Sequence, residues 1–379
     1  MLSDEVKTVS IAAGARCSAT LSPSRKYTTN LLNFVELMTL AKSILCCSLL
    51  IPAMTISPAV YSLDAMQLAV IINSNDPLSV QVGEYYAAQR RISFQNIIRV
   101  KLPTDRTELT PDEFEAVKRA VDSKTRSSIQ AFALAWATPY RVGCMSITSA
   151  FAFGYDPAFC EPGCKPTRPN PYFNSPSQRP FAHFGIRPAM AIAGLSFEQS
   201  KALIDRGVDA DGSFPEGTAY LLSTSDETRN VRSSLYPLAK RVFAKEKIRV
   251  FALKRNDIKY VDDVLFYFTG LANVTHLETL GFVPGAIADH LTSSGGRLTE
   301  NSGQMSALRW LEAGATGSYG TVVEPCNLLQ KFPNPAVLAS RYLKGETMIE
   351  AYWKSVAMPG QGLFIGEPLA APFRTKKSD

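Results

Sequence analysis

Short apolar runs that end in small or polar residues recur along the chain, and three of them follow one another in its second half. They lie within residues 263–270, 281–296 and 314–326, and a helical pattern separates the second from the third. Consecutive parallel strands have this pattern, and α/β proteins place their chemistry at the carboxyl ends of such strands. We therefore expect a functional site, if the protein has one, between Asp263 and Cys326.

The first part of the chain predicts strands that alternate with helices. Apolar runs typical of buried strands occur at 66–73, 96–102 and 129–136. Residues 79–90 have helical spacing, and a second helix should begin at Thr110, because Pro111 suits the first turn and Glu113 completes a capping box. This β-α-β-α-β order predicts a parallel sheet with right-handed crossovers.

The remainder of the chain continues the pattern without a visible internal repeat. Further strands are predicted at 189–195, 218–223, 248–253 and 361–369. Further helices are predicted at 197–206, 230–245, 337–344 and 347–355. The predicted fold class is therefore α/β, with a mostly parallel sheet flanked by helices on both faces, formed by residues 66–370 as a single domain.

The N-terminal segment is predicted to direct export. Residues 38–62 combine a basic residue, a short apolar core and small residues before a cleavage point, which is the composition of a secretory signal peptide. We expect cleavage after Ser62, or after Ala65 as second choice, and a periplasmic or extracellular mature protein; an uncleaved membrane anchor is the alternative. Residues 1–37 then form a non-native extension, and residues 371–379 form a basic tail.

Four cysteines remain after that cleavage, namely Cys144, Cys160, Cys164 and Cys326. An even number in an exported protein permits two disulfides with three possible connectivities. Cys160 and Cys164 lie in a Pro-rich loop at 155–180, and a loop of this length is usually either functional or disordered. A disulfide bond within it would favour an ordered loop. The spacing of these two residues also suits half of a zinc site, but no partner pair has ligand spacing.

Charge and composition exclude several classes of function. The formal net charge is +6 and the basic residues are scattered, so the sequence predicts no nucleic-acid surface. With three histidines and no cluster at ligand spacing, we expect no metal and no cofactor. Contact with a membrane is expected only through the signal segment.

The end of the chain carries the most specific pattern: Gly314-Ala-Thr-Gly-Ser-Tyr-Gly, then Met348-Ile-Glu-Ala-Tyr-Trp-Lys-Ser355, then Gln361-Gly-Leu-Phe-Ile-Gly-Glu-Pro-Leu369. This order resembles the C-terminal part of gingipain-like cysteine peptidases, within the caspase-like fold. More of the chain, from Ala69-Val-Ile-Ile-Asn-Ser-Asn-Asp-Pro77 to Pro368, is similar to a family of exported bacterial proteins found in genomes with the exosortase protein-sorting system. The resemblance implies a caspase-like topology and a protein or peptide partner, linked to that sorting system.

The resemblance also implies a His-Gly at the end of one strand and a Cys at the end of the next, where the His assists the attack of the thiolate on a carbonyl. Here Thr269-Gly270 stands in place of the first and Asp289-His290 in place of the second. By this alignment both catalytic residues are missing, and the protein would bind a partner without hydrolysing it.

A different alignment restores a catalytic pair. His290 ends one predicted strand and Cys326 follows the next, with Asp289 and Glu324 as carboxylates that could orient them. Under this alternative the protein is a cysteine peptidase or transpeptidase. If Cys326 is disulfide-bonded, the alternative fails.

The remaining candidate residues would bind rather than react. Thr269 and Gly270 occupy the strand end where the family has its His-Gly, and Glu324 precedes Cys326. The run Ser293-Ser294-Gly295-Gly296 could present backbone N–H groups to an anion, although a tight strand-to-helix turn requires the same residues.

Overall fold

The computed structural model describes residues 62–160 and 164–375. The extension at 1–37 and nearly all of the predicted signal segment lie outside the described residues, as do the last four residues of the tail. The strands are β1 Leu68–Asn73, β2 Ile97–Val100, β3 Glu108–Leu109, β4 Ala131–Leu134, β5 Arg141–Val142, β6 Met145–Ser146, β7 Ala189–Ala191, β8 Thr218–Ser223, β9 Arg249–Lys254, β10 Val261–Thr269, β11 Leu280–His290, β12 Gly317–Thr321 and β13 Gly362–Gly366. The α-helices are α1 Pro77–Gln89, α2 Pro111–Lys124, α3 Ile147–Phe153, α4 Pro180–Phe184, α5 Phe197–Ala210, α6 Tyr236–Lys245, α7 Leu308–Ala313, α8 Pro335–Tyr342 and α9 Met348–Ser355.

Ten of these strands form one sheet in the order β2-β1-β4-β7-β13-β12-β11-β10-β8-β9, and β3, β5 and β6 form a separate small sheet. β1 pairs in parallel with β2 and β4, and β4 with β7. On the other side β9, β8, β10, β11 and β12 also pair in parallel. β13 runs antiparallel to β12. We call β2-β1-β4-β7 the N half of the sheet and β12-β11-β10-β8-β9 the C half.

The relative direction of the halves follows from contacts at the two edges of the sheet. β13 meets β7 through a single bridge, Ile365 with Ala191, and the parallel sense of one isolated bridge does not define the direction of a strand. At one edge Thr107, beyond β2, donates from Oγ1 to the carboxylate of Glu300, beyond β11, at 2.9 Å. At the opposite edge Leu63, before β1, contacts Glu350 of α9, while Met348 of α9 packs on Gly317 at the start of β12. The two halves therefore run in the same direction and share one carboxyl edge.

Each half repeats one strand order that is not visible in the sequence. In the N half the chain starts on β1, adds β2 on the outer side and returns to β4 and β7 on the inner side. In the C half it starts on β8, adds β9 outside and returns to β10 and β11. Each half thus has a topological switch point, between β1 and β4 and between β8 and β10, and ligands of open α/β sheets bind at such points.

Helices cover both faces of the sheet. Phe266 of β10 packs on Phe243 of α6, with ring centroids 5.0 Å apart, and on Tyr342 of α8. Its neighbour Tyr267 packs on Trp310 of α7 at 5.0 Å. Because successive side chains of a strand point to opposite faces, α6 and α8 cover one face and α7 the other. The predicted fold class, an α/β protein with a mostly parallel sheet, is confirmed.

Local sequence rules fix several element ends. The helix predicted from Thr110 is α2, and both hydrogen bonds of its capping box are formed with Glu113. The helix predicted at 230–245 begins instead as a 3₁₀ segment, Asn230–Leu235, and becomes α-helical at Tyr236. Pro237 explains the break, because it has no N–H to donate to a carbonyl in the preceding turn.

The four described cysteines form two disulfides, Cys144–Cys160 and Cys164–Cys326. Neither Cys160 nor Cys164 is therefore available as a zinc ligand in this state. The second disulfide spans 162 residues and joins the 155–180 loop to the segment that follows β12. It closes the carboxyl edge between the two halves of the sheet.

The part of the chain that the structure describes contains no helix with both the length and the apolar character needed to cross a bilayer.

Candidate functional site at the carboxyl edge of the sheet

The predicted site residues of the C half lie at the carboxyl edge, as the strand pattern predicts. Thr269 and His290 are register partners at the ends of β10 and β11. The Gly295-Gly296 turn follows β11 and packs on Gly320, where an added Cβ would lie 2.4 Å from the nitrogen of Gly296. Most of these side chains are buried, and their contacts decide what the edge can do.

Both ring nitrogens of His290 are engaged with the protein interior. Nε2 lies 3.0 Å from the carbonyl of Met305, and the indole N–H of Trp310 donates to Nδ1 at 3.0 Å. Because a carbonyl only accepts and an indole N–H only donates, His290 is neutral with its proton on Nε2. Burial lowers the pKa of His290 to about 4, and the positive charges of Arg232 and Arg229 act in the same direction. The imidazole therefore has no free nitrogen with which to activate a thiol.

Asp289 belongs to a buried ion pair rather than to a catalytic pair. Arg232, from the 3₁₀ segment before α6, forms an ion pair with the Asp289 carboxylate, and both side chains are buried. The same guanidinium donates to the carbonyl oxygens of Thr269 at 2.6 Å and Asp289 at 3.0 Å. Burial disfavours the charge on Arg232, but the Asp289 carboxylate and Tyr236 together outweigh that effect, and the pKa of Arg232 is raised. Arg232 thus holds the ends of β10 and β11 together.

Cys326 does not fit the catalytic role considered for it. Its sulfur is bonded to Cys164, and a disulfide sulfur is not a thiolate. Its backbone N–H donates to the carboxylate of Glu324 at 2.7 Å, and Gln361 donates to the carbonyl of Glu324, also at 2.7 Å. Glu324 therefore caps the turn that carries the disulfide and does not orient His290.

Two of the backbone donors of the 293–296 turn, those of Ser294 and Gly296, are used inside the protein. Ser294 N–H donates to the side chain of Gln304 at 3.0 Å, and Gly296 N–H donates to the carbonyl of Thr321 at 2.9 Å. The carbonyl of Ser293 accepts from the hydroxyl of Thr321. The turn interpretation of this glycine pair fits these contacts better than the anion-site interpretation does.

Thr269 and Gly270 are packing positions. Thr269 is buried and its carbonyl accepts from the N–H of Leu291 at 3.0 Å. A Cβ on Gly270 would lie 2.0 Å from the carbonyl oxygen of Arg229, so only glycine fits there. The sheet therefore brings Thr269, Asp289 and His290 together, but as parts of a filled edge.

The N half presents a cavity at the same edge that the sequence did not single out. It has a volume of about 220 Å³ and lies beyond the carboxyl ends of β1, β4 and β7, at the switch point between β1 and β4. Apolar walls come from the residues Leu78, Val82, Ala135, Trp136, Ala137, Ile192 and Leu195. Polar groups come from Asp76, Thr104, Thr138 and Ser200. The sequence signal for this site is the Asn-Asp-Pro turn at 75–77, which follows the first strand.

Asp76 gives this cavity its electrostatic character. One carboxylate oxygen caps α1 by accepting from the N–H of Leu78 at 2.9 Å. Among residues 62–160 and 164–375, no Lys, Arg or His forms an ion pair with Asp76. The hydroxyl of Ser200, a buried residue on α5, has no hydrogen-bond partner in the same described part. Negative charge and hydroxyl groups thus meet apolar walls in one small cavity.

The lining of this cavity lacks a thiol and an imidazole. All three histidines lie within the described residues, and neither they nor a cysteine line it. Among the described residues there is also no group of three or more His, Cys, Asp or Glu side chains arranged to hold a metal ion.

Comparisons with known proteins add little to this geometry. No protein-family model and no curated protein matches the chain. A solved structure described as "Structure of Protease" matches 84% of this chain and 80% of its own, with 10% sequence identity and a TM-score of 0.45. At that TM-score the likeness carries no argument about mechanism.

Proposed function

We propose that this chain is an exported binding protein of caspase-like topology that lacks a peptidase dyad and recognises a segment of another polypeptide. The observation that carries the proposal is the state of the two candidate catalytic groups. His290 has both ring nitrogens hydrogen-bonded inside the protein, and Cys326 is bonded to Cys164. A working thiol–imidazole pair needs a free thiolate within hydrogen-bond reach of a ring nitrogen.

The N-half cavity supports recognition of a basic side chain. A Lys or Arg residue would bury its methylene groups against Trp136, Leu78 and Ile192, while its charged end meets the Asp76 carboxylate. The hydroxyl of Thr138 is an acceptor for one of its remaining N–H groups. Leu195 at the rim is 52% exposed and offers an apolar contact for the neighbouring residue of such a segment.

The partner is inferred from the sequence resemblance alone. The similarity to exported proteins of exosortase-carrying genomes suggests that the bound polypeptide is a component or a substrate of that sorting system. The same resemblance supports a periplasmic or extracellular location, to which the two disulfides add physical support, because such bonds persist in oxidising compartments.

Calorimetric titration with Nα-acetyl-lysine N-methylamide tests the binding site. We expect weak but saturable binding, and no binding of the norleucine analogue, which lacks the ammonium group. Asp76→Asn should weaken the affinity at least about tenfold, because asparagine keeps the helix cap but removes the charge. Asp112→Asn, an exposed position in the first turn of α2, is the matched control and should leave the affinity unchanged.

Two results would contradict the proposal. One is equal affinity for the lysine and norleucine compounds, or for the Asp76→Asn and wild-type proteins. The other is cleavage of a fluorogenic peptide library by the oxidised protein, which would favour the cysteine peptidase or transpeptidase alternative with Cys326 and His290.

A further inference from the structure

The first described residues of the chain are anchored at the amino edge of the sheet, far along the chain from their partners. Leu63 is fully buried, and its backbone N–H donates to the carboxylate of Glu350 at 3.1 Å. Its carbonyl accepts from the guanidinium of Arg374 at 2.8 Å. Leu63 is therefore an integral part of the folded domain, held through both of its backbone polar groups.

Glu350 is a buried carboxylate with no cation within ion-pair distance in the described part of the chain, and the charge of Arg374 acts on it from beyond that distance. One of its oxygens, Oε2, accepts from the N–H and hydroxyl of Thr347, at 3.0 and 2.7 Å, and from Leu63. The other, Oε1, is buried and has no hydrogen-bond partner in the described part of the chain. The neighbouring Glu346, in contrast, pairs with Lys354 at 2.9 Å and with Arg341 at 3.3 Å.

A positive charge beside the buried Glu350 carboxylate would stabilise it. A buried carboxylate is normally paired, because removing it from water without a counter-charge is costly. No Lys, Arg or His nitrogen within residues 62–160 and 164–375 lies in ion-pair distance of Glu350. Besides the capping contacts with Thr347, the carboxylate accepts from the backbone nitrogen of Leu63.

We propose that cleavage between Ser62 and Leu63 turns this nitrogen into an α-ammonium group that forms a buried ion pair with Glu350. A signal peptidase hydrolyses the peptide bond: water supplies the hydroxyl of the new Ser62 carboxyl group and a proton for the new amine of Leu63, which gains a further proton from solvent. The ammonium has three N–H donors where the peptide had one, and the carboxylate that it contacts has an unpartnered oxygen, Oε1, to accept a second bond.

The structure also distinguishes the two cleavage points that the sequence allows. Cleavage after Ala65 would remove Leu63 and leave both Glu350 and Arg374 without their partner. It would also remove Asp64, whose carbonyl accepts from the N–H of Gln67 at 3.1 Å at the entry to β1. Cleavage after Ser62 keeps these contacts. Because Leu63 is buried, the cut must precede folding, and the folded domain should resist it.

The first test is the N-terminus of the full chain after export from a bacterial host, read by intact mass and N-terminal sequencing. We expect the mature protein to begin at Leu63. A mature protein that begins at Met66, or one that retains Ser62, would overturn the proposal.

The second test separates the ion pair from ordinary packing. Ser62→Phe places a bulky residue where the signal peptidase requires a small one, so this variant keeps the peptide bond. Glu350→Gln removes the charge but retains the capping box, which accepts glutamine as well as glutamate. We expect Glu350→Gln to lower the midpoint of thermal unfolding of the processed protein about twice as far as that of the Ser62→Phe protein. Equal shifts in the two backgrounds would overturn the ion pair, whatever residue begins the mature chain.

Discussion

The two halves of the sheet share a strand order but differ in the segment that comes after the first strand of each. Beyond β8 the chain returns over the strand ends: Tyr236 donates to the carbonyls of Leu222 and Phe268, and Arg232 donates to that of Thr269. Beyond β1 the chain turns directly into α1 at Pro77 and leaves a cavity of about 220 Å³. The topological switch point, where open α/β sheets bind ligands, is thus filled by protein side chains in the C half and open in the N half.

Strand order therefore locates a possible site, whereas the residues that follow the first strand of each half decide whether that site is accessible. The 3₁₀ segment Asn230–Leu235 carries Arg232 into the interior of the C half. Asp76, at the equivalent place in the N half, stays at the helix end and borders the cavity. Variants at these two positions should therefore have opposite consequences for stability and binding.

Loss of Arg232 should have the largest effect on stability. Arg232→Leu leaves the Asp289 carboxylate buried without a counter-charge, and breaking a buried pair in this way costs about 3–5 kcal/mol. Denaturant unfolding measures the loss. Arg309→Leu is the control, because Arg309 is exposed and its surface ion pair with the partly buried Glu312 is worth at most about 1 kcal/mol. Similar losses for the two variants would show that the C-half edge is not held by this ion pair.

Removal of the second disulfide should destabilise the protein without creating an enzyme. Cys164→Ser frees the thiol of Cys326 and opens a loop of 162 residues, which should lower the free energy of unfolding by about 2–4 kcal/mol. Peptide cleavage should remain at the level of the Cys164→Ser/Cys326→Ser double variant, because His290 stays neutral and hydrogen-bonded. A cleavage rate above that of the double variant would mean that the closed edge conceals a catalytic pair.

The buried histidine should make stability depend on pH in a defined window. The pKa of His290 is about 4 in the folded protein, because burial disfavours its charged form, and about 6.5 in the unfolded chain. The unfolded chain therefore takes up the proton first, so this contribution to stability is full above pH ~6.5 and falls by about 3 kcal/mol as the pH drops to ~4. His290→Gln should show a correspondingly smaller loss between pH 7 and pH 4.5 in urea unfolding. Parallel curves for the two proteins would contradict the neutral, buried state of His290.

Asp76→Asn should have the smallest effect on stability. Asparagine caps a helix as well as aspartate does, so the free energy of unfolding should change by less than about 0.5 kcal/mol. Thr110→Ala, which removes the cap of α2, should cost about 1 kcal/mol in the same assay. A loss for Asp76→Asn as large as that for Thr110→Ala would assign the Asp76 charge to folding rather than to the cavity.

The helix start and the strand ends that the sequence predicts depend on residues close together in the chain. Thr110, Pro111 and Glu113 specify the start of α2 through contacts within one turn. The apolar runs that become β10 and β11 place Thr269 and His290 at one edge, because the carboxyl ends of parallel strands align.

The side chains that fill the carboxyl edge of the C half are held by contacts between segments distant in sequence, which the sequence pattern does not predict. His290 is hydrogen-bonded to Met305, in the segment leading into α7, and to Trp310, in α7 itself. The pairing of Cys164 with Cys326 is one of three connectivities that spacing alone allows. The repeated strand order, and with it the cavity beside Asp76, arises from pairing between strands rather than from any repeat of residues.

The most direct test of the account is an NMR titration of the oxidised protein with Nα-acetyl-lysine N-methylamide, with backbone amides assigned at both switch points. We expect shifts for amides beside the N-half cavity, such as those of Thr138, Gly194 and Leu195, and none for Thr269, Gly270 or Gly295. Shifts confined to the second group would contradict it, because they would place the ligand at the edge that Arg232, His290 and the Cys164–Cys326 disulfide fill.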